Sequence, residues 1–155
     1  MINITIISVG KFKEKYFVDM TNEYKKRITK FANINEIILE DESNKIEEKK
    51  VLEIEGKRIL EAIKENNFVI LLDLKGKMLD SVNFAKEIDK ISTYNSSNIT
   101  FIIGGSYGVS DEIKKRANYR LKISDMTFPH QLAKCILLEQ IYRAFTILNN
   151  VTYHK

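Results

Sequence analysis

The sequence predicts an α/β fold, a mainly parallel sheet flanked by helices. Two observations carry that expectation. Short β-branched runs alternate with longer stretches of helical spacing, the pattern of strand, helix, strand units. Two of those runs, Phe68-Val69-Ile70-Leu71-Leu72 and Phe101-Ile102-Ile103, are apolar without a break, as central strands covered on both faces must be. The length of 155 residues suits one domain spanning 1–155. With 44% hydrophobic and 30% charged residues, the chain can bury a core, which excludes wholesale disorder.

Ile2 to Val9 reads as the first strand. Its start, Met1-Ile2-Asn3-Ile4-Thr5-Ile6-Ile7, has no basic leader, long apolar region or cleavage site of a signal peptide. Phe17, Met20, Tyr24, Ile28 and Phe31 recur at helical spacing, and Ile34 to Leu39 forms the next strand. Glu40 to Lys50 is a charged loop and helix start, leading to Val51, Ile54, Ile59 and Ile63 on one helical face. Phe68 to Asp73 is a strand, Phe84, Ile88 and Ile91 mark a helix, and Ile99 to Ile103 is the fourth strand. A brief helix follows Ser110, its expected N-cap, before a fifth strand from Tyr119 to Ile123. Leu132 to Leu148 is a helix apolar around most of its circumference, so it needs cover on two sides. A second copy of the chain in a homodimer supplies that cover; a central position within one chain is the alternative. No stretch approaches the ~18 apolar residues of a membrane span, and no repeat or linker interrupts the pattern.

The formal charge is +4, and its placement is uneven. Residues 1–65 and 66–110 are each balanced. The last 45 residues carry Lys114, Lys115, Arg116, Arg120, Lys122, Lys134, Arg143 and Lys155 against Asp111, Glu112, Asp125 and Glu139. A local positive field of this kind suits phosphate backbones. Cys135 is the sole cysteine, which excludes an internal disulfide. With only His130 and His154 to help, it cannot build a structural zinc site, so no metal is expected. A reducing, cytosolic compartment is the default, and Cys135 itself reads as core.

Three segments are candidates for chemistry. Gly104-Gly105-Ser106-Tyr107-Gly108 follows an apolar strand, at the carboxyl end where open α/β sheets bind ligands. It lacks the G-x-G-x-x-G spacing, and no G-x-x-x-x-G-K-[ST] phosphate loop occurs. Asp111 and Glu112 in the following helical turn already complement its dipole, so a neutral or cationic ligand suits this corner better than a triphosphate; a plain tight turn is the alternative. In Ser124-Asp125-Met126-Thr127-Phe128-Pro129-His130-Gln131, the only proline holds Phe128 extended and fixes the helix start. Such a loop can present backbone groups to a planar ring, with His130 either a participant or an ordinary polar residue at a helix start. The tail Asn149 to Lys155 follows a helix carrying Arg143, whose guanidinium forks onto phosphate or carboxylate or pairs with Glu139 one turn earlier.

Taken in order, Gly104-Gly105-x-x-Gly108, Met126-Thr127-Phe128-Pro129-His130-Gln131, Glu139-Gln140-Ile141-Tyr142-Arg143-Ala144 and the terminal Tyr153-His154-Lys155 resemble the small SPOUT-class RNA methyltransferases that modify pseudouridine in large-subunit ribosomal RNA. The resemblance runs from Ile4-Thr5-Ile6-Ile7-Ser8-Val9-Gly10-Lys11 to the last residue. It implies an α/β fold with a C-terminal trefoil knot, which general rules of chain threading argue against. It also implies a cytoplasmic homodimer with S-adenosyl-L-methionine as methyl donor. The cofactor pocket would comprise Leu72, Gly104, Gly105, Ile123, Ser124, Asp125, Met126, Thr127 and Phe128.

The implied reaction is methylation of ring nitrogen N3. His154 is then the expected general base or proton relay, with His130 and Tyr153 as alternative participants or positioning groups. Arg143 would hold RNA phosphate or charge developing on the uracil carbonyls. The tail of one subunit could complete the partner's site. No RRM or KH signature is present, so the expected target is a preformed one, the assembled ribosome rather than free RNA. Rival readings are a methyltransferase of the same fold acting on another RNA such as tRNA, and a catalytically silent ribosome-binding protein. An enzyme of nucleotide triphosphates is disfavoured by the missing phosphate loop.

Overall fold

The computed structural model describes residues 1–42 and 47–155; positions 43–46 of the expected Glu40 to Lys50 loop lie outside the described residues. Five strands, β1 (Asn3–Val9), β2 (Asn33–Leu39), β3 (Phe68–Met78), β4 (Asn98–Ile103) and β5 (Tyr119–Lys122), alternate with α1 (Lys15–Ile28), α2 (Glu48–Ala62), α3 (Ser81–Tyr94), α4 (Asp111–Arg116) and α5 (His130–Leu148). The strands form one parallel sheet in the order β2-β1-β4-β3-β5. Connections running towards β2 carry α1 and α3 over one face, and those running towards β5 carry α2 and α4 over the other, as crossovers of a single hand require.

Strand alternation divides the core accordingly. Ile4, Ile6, Phe101 and Ile103 point into the core shared with α1, α3 and α5. Ile7, Val9, Leu71 and Ile102 point into the one beneath α2 and α4. β1 and β4, with partners on both edges and helices on both faces, are therefore buried almost throughout.

α5 shares a core with the sheet and packs on both α1 and α3, so most of its apolar circumference is covered within the chain. Phe31 stacks on Phe145 at 6.1 Å, and Cys135 is fully buried against Thr21 Oγ1 at 3.5 Å, a core residue as its setting in the sequence implied. Lys134, 3% exposed, pairs with Glu36, donates to Ser8 Oγ at 2.9 Å and lies over the Phe12 ring at 4.5 Å. Leu132, Ile136 and Tyr142 stay half-buried.

Element ends fall close to expectation with one exception. Phe31 and Ile63 lie just past the ends of α1 and α2, and α5 begins at His130 because Pro129, at φ −53°, is its N-cap. β3 runs five residues beyond Asp73, to Met78. Leu72 and Lys77 both oppose Leu121 of β5, so Asp73 to Gly76 form an excursion from the ladder. Gly76 permits it, since a Cβ there would sit 2.7 Å from the Arg120 backbone.

Candidate active site

β4, β3 and β5 lie side by side, and the segments leaving their carboxyl ends enclose a cavity of about 410 Å³. That is the size and place of a small-molecule site in an open parallel sheet. Eight of the nine residues expected to hold a cofactor line it: Leu72, Gly104, Gly105, Ile123, Ser124, Met126, Thr127 and Phe128. Asp125 does not. Met126 N donates to Ser124 Oγ at 3.0 Å, a local turn that leaves the Asp125 carboxylate outside, accepting from Lys122 Nζ at 2.5 Å.

The glycine segment closes as a tight turn. Gly108 N donates to Gly105 O at 3.0 Å, the two glycines form an antiparallel bridge, and Gly108 takes φ +83°. A Cβ at Gly105 would come within 2.9 Å of Glu55 Oε1 and 3.2 Å of Val9. The backbone thus rests directly on α2, and the side chain at the turn's tip, Tyr107, faces the cavity. Glu55 is 4% exposed and accepts from Glu42 N at 3.0 Å. Burial pushes its carboxyl above the usual range against that hydrogen bond, and nearby Asp41 adds to the rise. Ser110 caps α4 through its backbone conformation, with Asp111 and Glu112 in the first turn as expected.

Asp73 escaped the sequence reading. It is the one acidic residue on the cavity wall among the described residues, a wall that also carries Lys75, Lys114 and Lys122. Its Oδ1 accepts from Lys75 N at 2.9 Å. Its Oδ2 is buried without a hydrogen-bond partner, 3.7 Å from Arg120 Nη1. The available signal was an acid placed where a buried parallel strand ends.

The four catalytic candidates do not meet within one chain. His130 lines the cavity. Arg143 lies thirteen residues along α5, about 20 Å away at 1.5 Å per residue, and there Tyr153 and His154 fold back onto it. Arg143 Nε and Nη2 donate to Glu139 Oε1 at 3.0 and 2.5 Å, and its guanidinium lies 4.7 Å from the Tyr153 ring centre. The Tyr153 hydroxyl donates to the same Glu139 oxygen at 3.0 Å. Burial, Tyr24 and Glu139 together push that phenol well above its usual range, so it stays protonated. Arg143 Nη1 lies 3.1 Å from His154 Nδ1. Guanidinium only donates, so Nδ1 accepts and the neutral ring carries its proton on Nε2. Glu139, the hub of this cluster, was visible beforehand only as a partner for Arg143. A second cavity of about 290 Å³, lined by Ile136 and Gln140 of α5, shares Leu121, Lys122 and Ile123 with the first and lies between the two clusters.

A family model described as a predicted SPOUT methyltransferase matches residues 2–154. The chain belongs to the SPOUT methyltransferase family. This SPOUT methyltransferase is 51% identical to a protein of Clostridium acetobutylicum named ribosomal RNA large subunit methyltransferase H, the match covering 99% of each. A protein of the same name from Clostridium botulinum is 50% identical with the same coverage. Among solved structures, a probable methylase family protein from Haemophilus influenzae superposes with a TM-score of 0.52 at 12% identity, covering 95% of this chain and 66% of that one. That likeness speaks for the fold of the SPOUT methyltransferase alone. Among its described residues no three His, Cys, Asp or Glu side chains gather where a metal could bind, and no helix is long and apolar enough to cross a membrane.

Proposed function

We propose that this SPOUT methyltransferase transfers the methyl group of S-adenosyl-L-methionine to ring nitrogen N3 of a pseudouridine in large-subunit ribosomal RNA, acting as a cytoplasmic homodimer on assembled ribosomes. The observation that carries the reading is the half-identical, end-to-end match to relatives named for ribosomal RNA large-subunit methylation.

The residues present fit the cofactor. Asp73 Oδ2 is an orphaned buried acceptor that a donor group would satisfy, and a Cβ on Gly105 would collide with what lies beneath it. Leu72, Gly104, Gly105 and the segment Ile123 to Phe128 would hold the molecule, with Asp125 contributing backbone at most. When bound, it supplies an electrophilic methyl group on a sulfonium centre. The lysines at the cavity, Lys75, Lys114 and Lys122, suit the phosphates of an RNA strand presented there.

The chain's own contribution is to position the ring and manage its proton. Holding the nucleophile in line is worth several kcal/mol of barrier. His130, on the cavity wall, would position substrate. Arg143 is fixed by Glu139 and offers positive charge to a uracil oxygen or a phosphate. With Nδ1 held by Arg143, His154 presents an Nε2–H donor; it takes up the ring proton itself only when that contact opens. Tyr153, protonated and tied to Glu139, anchors the tail. Because the tail cluster lies about 20 Å from the cavity along α5, a second subunit packed on the half-buried face of α5 is the economical way to bring the two together. The knot expected of the fold belongs to the same proposal.

The test is methyl transfer from labelled S-adenosyl-L-methionine to ribosomes lacking the modification, beside free ribosomal RNA and transfer RNA, with mapping of the labelled nucleoside. Label on a large-subunit pseudouridine, in ribosomes only, is expected. Label on transfer RNA would move the substrate. Cofactor binding without label on any RNA would favour a silent binder.

A further inference from the structure

Single exposed apolar side chains are ordinary on a protein surface, whereas several around one opening call for an occupant. Three line the mouth of the cavity: Leu74, 59% exposed, Tyr107, 42%, and Met126, 73%. Each stands on a separate departure from regular structure. Leu74 rides the Asp73 to Gly76 excursion of β3. Tyr107 sits at the tip of the turn closed by Gly105 and Gly108. Met126 follows the turn made by Ser124. On the same wall are Lys75, Lys114 and Lys122, the last paired with Asp125.

We propose that Leu74, Tyr107 and Met126 form the slot that grips the target base once it leaves its stack, with Tyr107 as the stacking platform; this rests on the substrate reading above. A ring nitrogen cannot reach a cavity floor while the base is stacked, so the nucleotide must swing out, and a swung-out base needs apolar faces to replace its neighbours. The occupant must be flat and apolar on its faces yet tethered to negative charge, because lysines share the wall with the apolar groups. A second protein subunit fits less well, since lysine is depleted at the centres of protein interfaces. The bridged glycine turn fixes the Tyr107 backbone before any ligand arrives, so less ordering is left for binding to impose.

Steady-state kinetics on ribosomes test this. Tyr107→Ala is expected to raise KM for ribosomes by about 5- to 150-fold, the span of one base stacked on one aromatic ring. Leu74→Ala should act in the same direction, and Tyr107→Phe should recover most of the loss. Calorimetric affinity for S-adenosyl-L-methionine alone should move less than about twofold in Tyr107→Ala. The chain has no tryptophan, so Tyr107→Trp supplies a single fluorescent reporter; ribosomes reconstituted with the intact target pseudouridine should quench it and ribosomes reconstituted abasic at that position should not. The slot is overturned by unchanged KM in both alanine variants, by equal quenching with the abasic ribosomes, or by cofactor affinity falling in step with KM in Tyr107→Ala. Sedimentation showing that Tyr107→Ala breaks an oligomer would also overturn it, making the face a subunit contact. Failure of the unaltered protein to methylate any RNA would sink the substrate reading, and the quenching comparison would still decide the slot.

Discussion

Asp73 Oδ2 sits at the cavity wall with no hydrogen bond to satisfy it, and a buried acceptor left in that state is costly. A bound ligand that donates to it removes the cost. Asp73→Asn keeps an oxygen for Lys75 N but loses the charge, so affinity for S-adenosyl-L-methionine measured by calorimetry should fall about 10- to 100-fold, the range of one charged hydrogen bond. Unchanged affinity would confine Asp73 to shaping its own turn. Glu55 behaves differently. Its carboxyl titrates higher in the folded chain than the ordinary 4.5, so the folded state holds its proton where the unfolded state has released it. Stability is therefore lost as pH rises from about 4.5 through the raised value, and the loss is complete above that. Glu55→Gln keeps an acceptor for Glu42 N without the charge. It should unfold at a higher temperature than the unaltered protein at pH 8, on the order of 2–4 °C, and the difference should close as the pH drops below 4.5. Thermal scans across that range that stay parallel would contradict it.

At the scale of elements, α5 is fixed by a polar contact at its start as well as by apolar packing. Burial opposes the charge on Glu36, yet the hydrogen bonds and charges of Lys134, then Lys25, hold its carboxyl below the usual range. Removing Lys134 leaves Glu36 half-compensated in a mostly buried site. Lys134→Met should cost about 3 kcal/mol in denaturant unfolding, and adding Glu36→Gln should return part of it; strict additivity of the two changes would show that they do not act as a pair. None of this pairing was legible in the sequence, because Glu36 and Lys134 are 98 positions apart and a lysine within an apolar run gives no sign of its partner. What was legible follows from periodicity. β1, β4 and the first half of β3 are buried on both faces, so their apolar runs mark them to within a residue or two. β3 beyond Asp73 was lost, because Leu74 to Met78 leaves the core and serves the cavity mouth instead. The same reason hid Asp73, Leu74 and Tyr107, whose importance lies in which loops the sheet order brings together. Asp125 shows the converse: its motif located the loop correctly, and a single Ser124 hydrogen bond decided which way its side chain turned.

For the whole molecule, the decisive fact is that the cavity and the tail cluster lie at opposite ends of α5. The cavity holds His130 with the cofactor candidates, and the tail cluster holds Arg143, Tyr153 and His154. If a homodimer joins the cavity of one subunit to the tail of the other, damage to each half can be placed in different chains and compensated. Gly105→Val forces a side chain against Glu55 and Val9 and should abolish cofactor binding. Arg143→Ala removes the guanidinium that holds His154 and should leave cofactor binding intact while stopping methyl transfer. Each variant alone should be inactive on ribosomes. Mixed in equal amounts, unfolded and refolded together, half the dimers are heterodimers with one site assembled from two undamaged halves, so activity should return to about a quarter of the unaltered protein's. Co-refolded mixtures that stay inactive, while sedimentation confirms that heterodimers form, would mean that cavity and tail serve the same chain. The tail would then have to leave Glu139 and cross the length of α5 during the reaction.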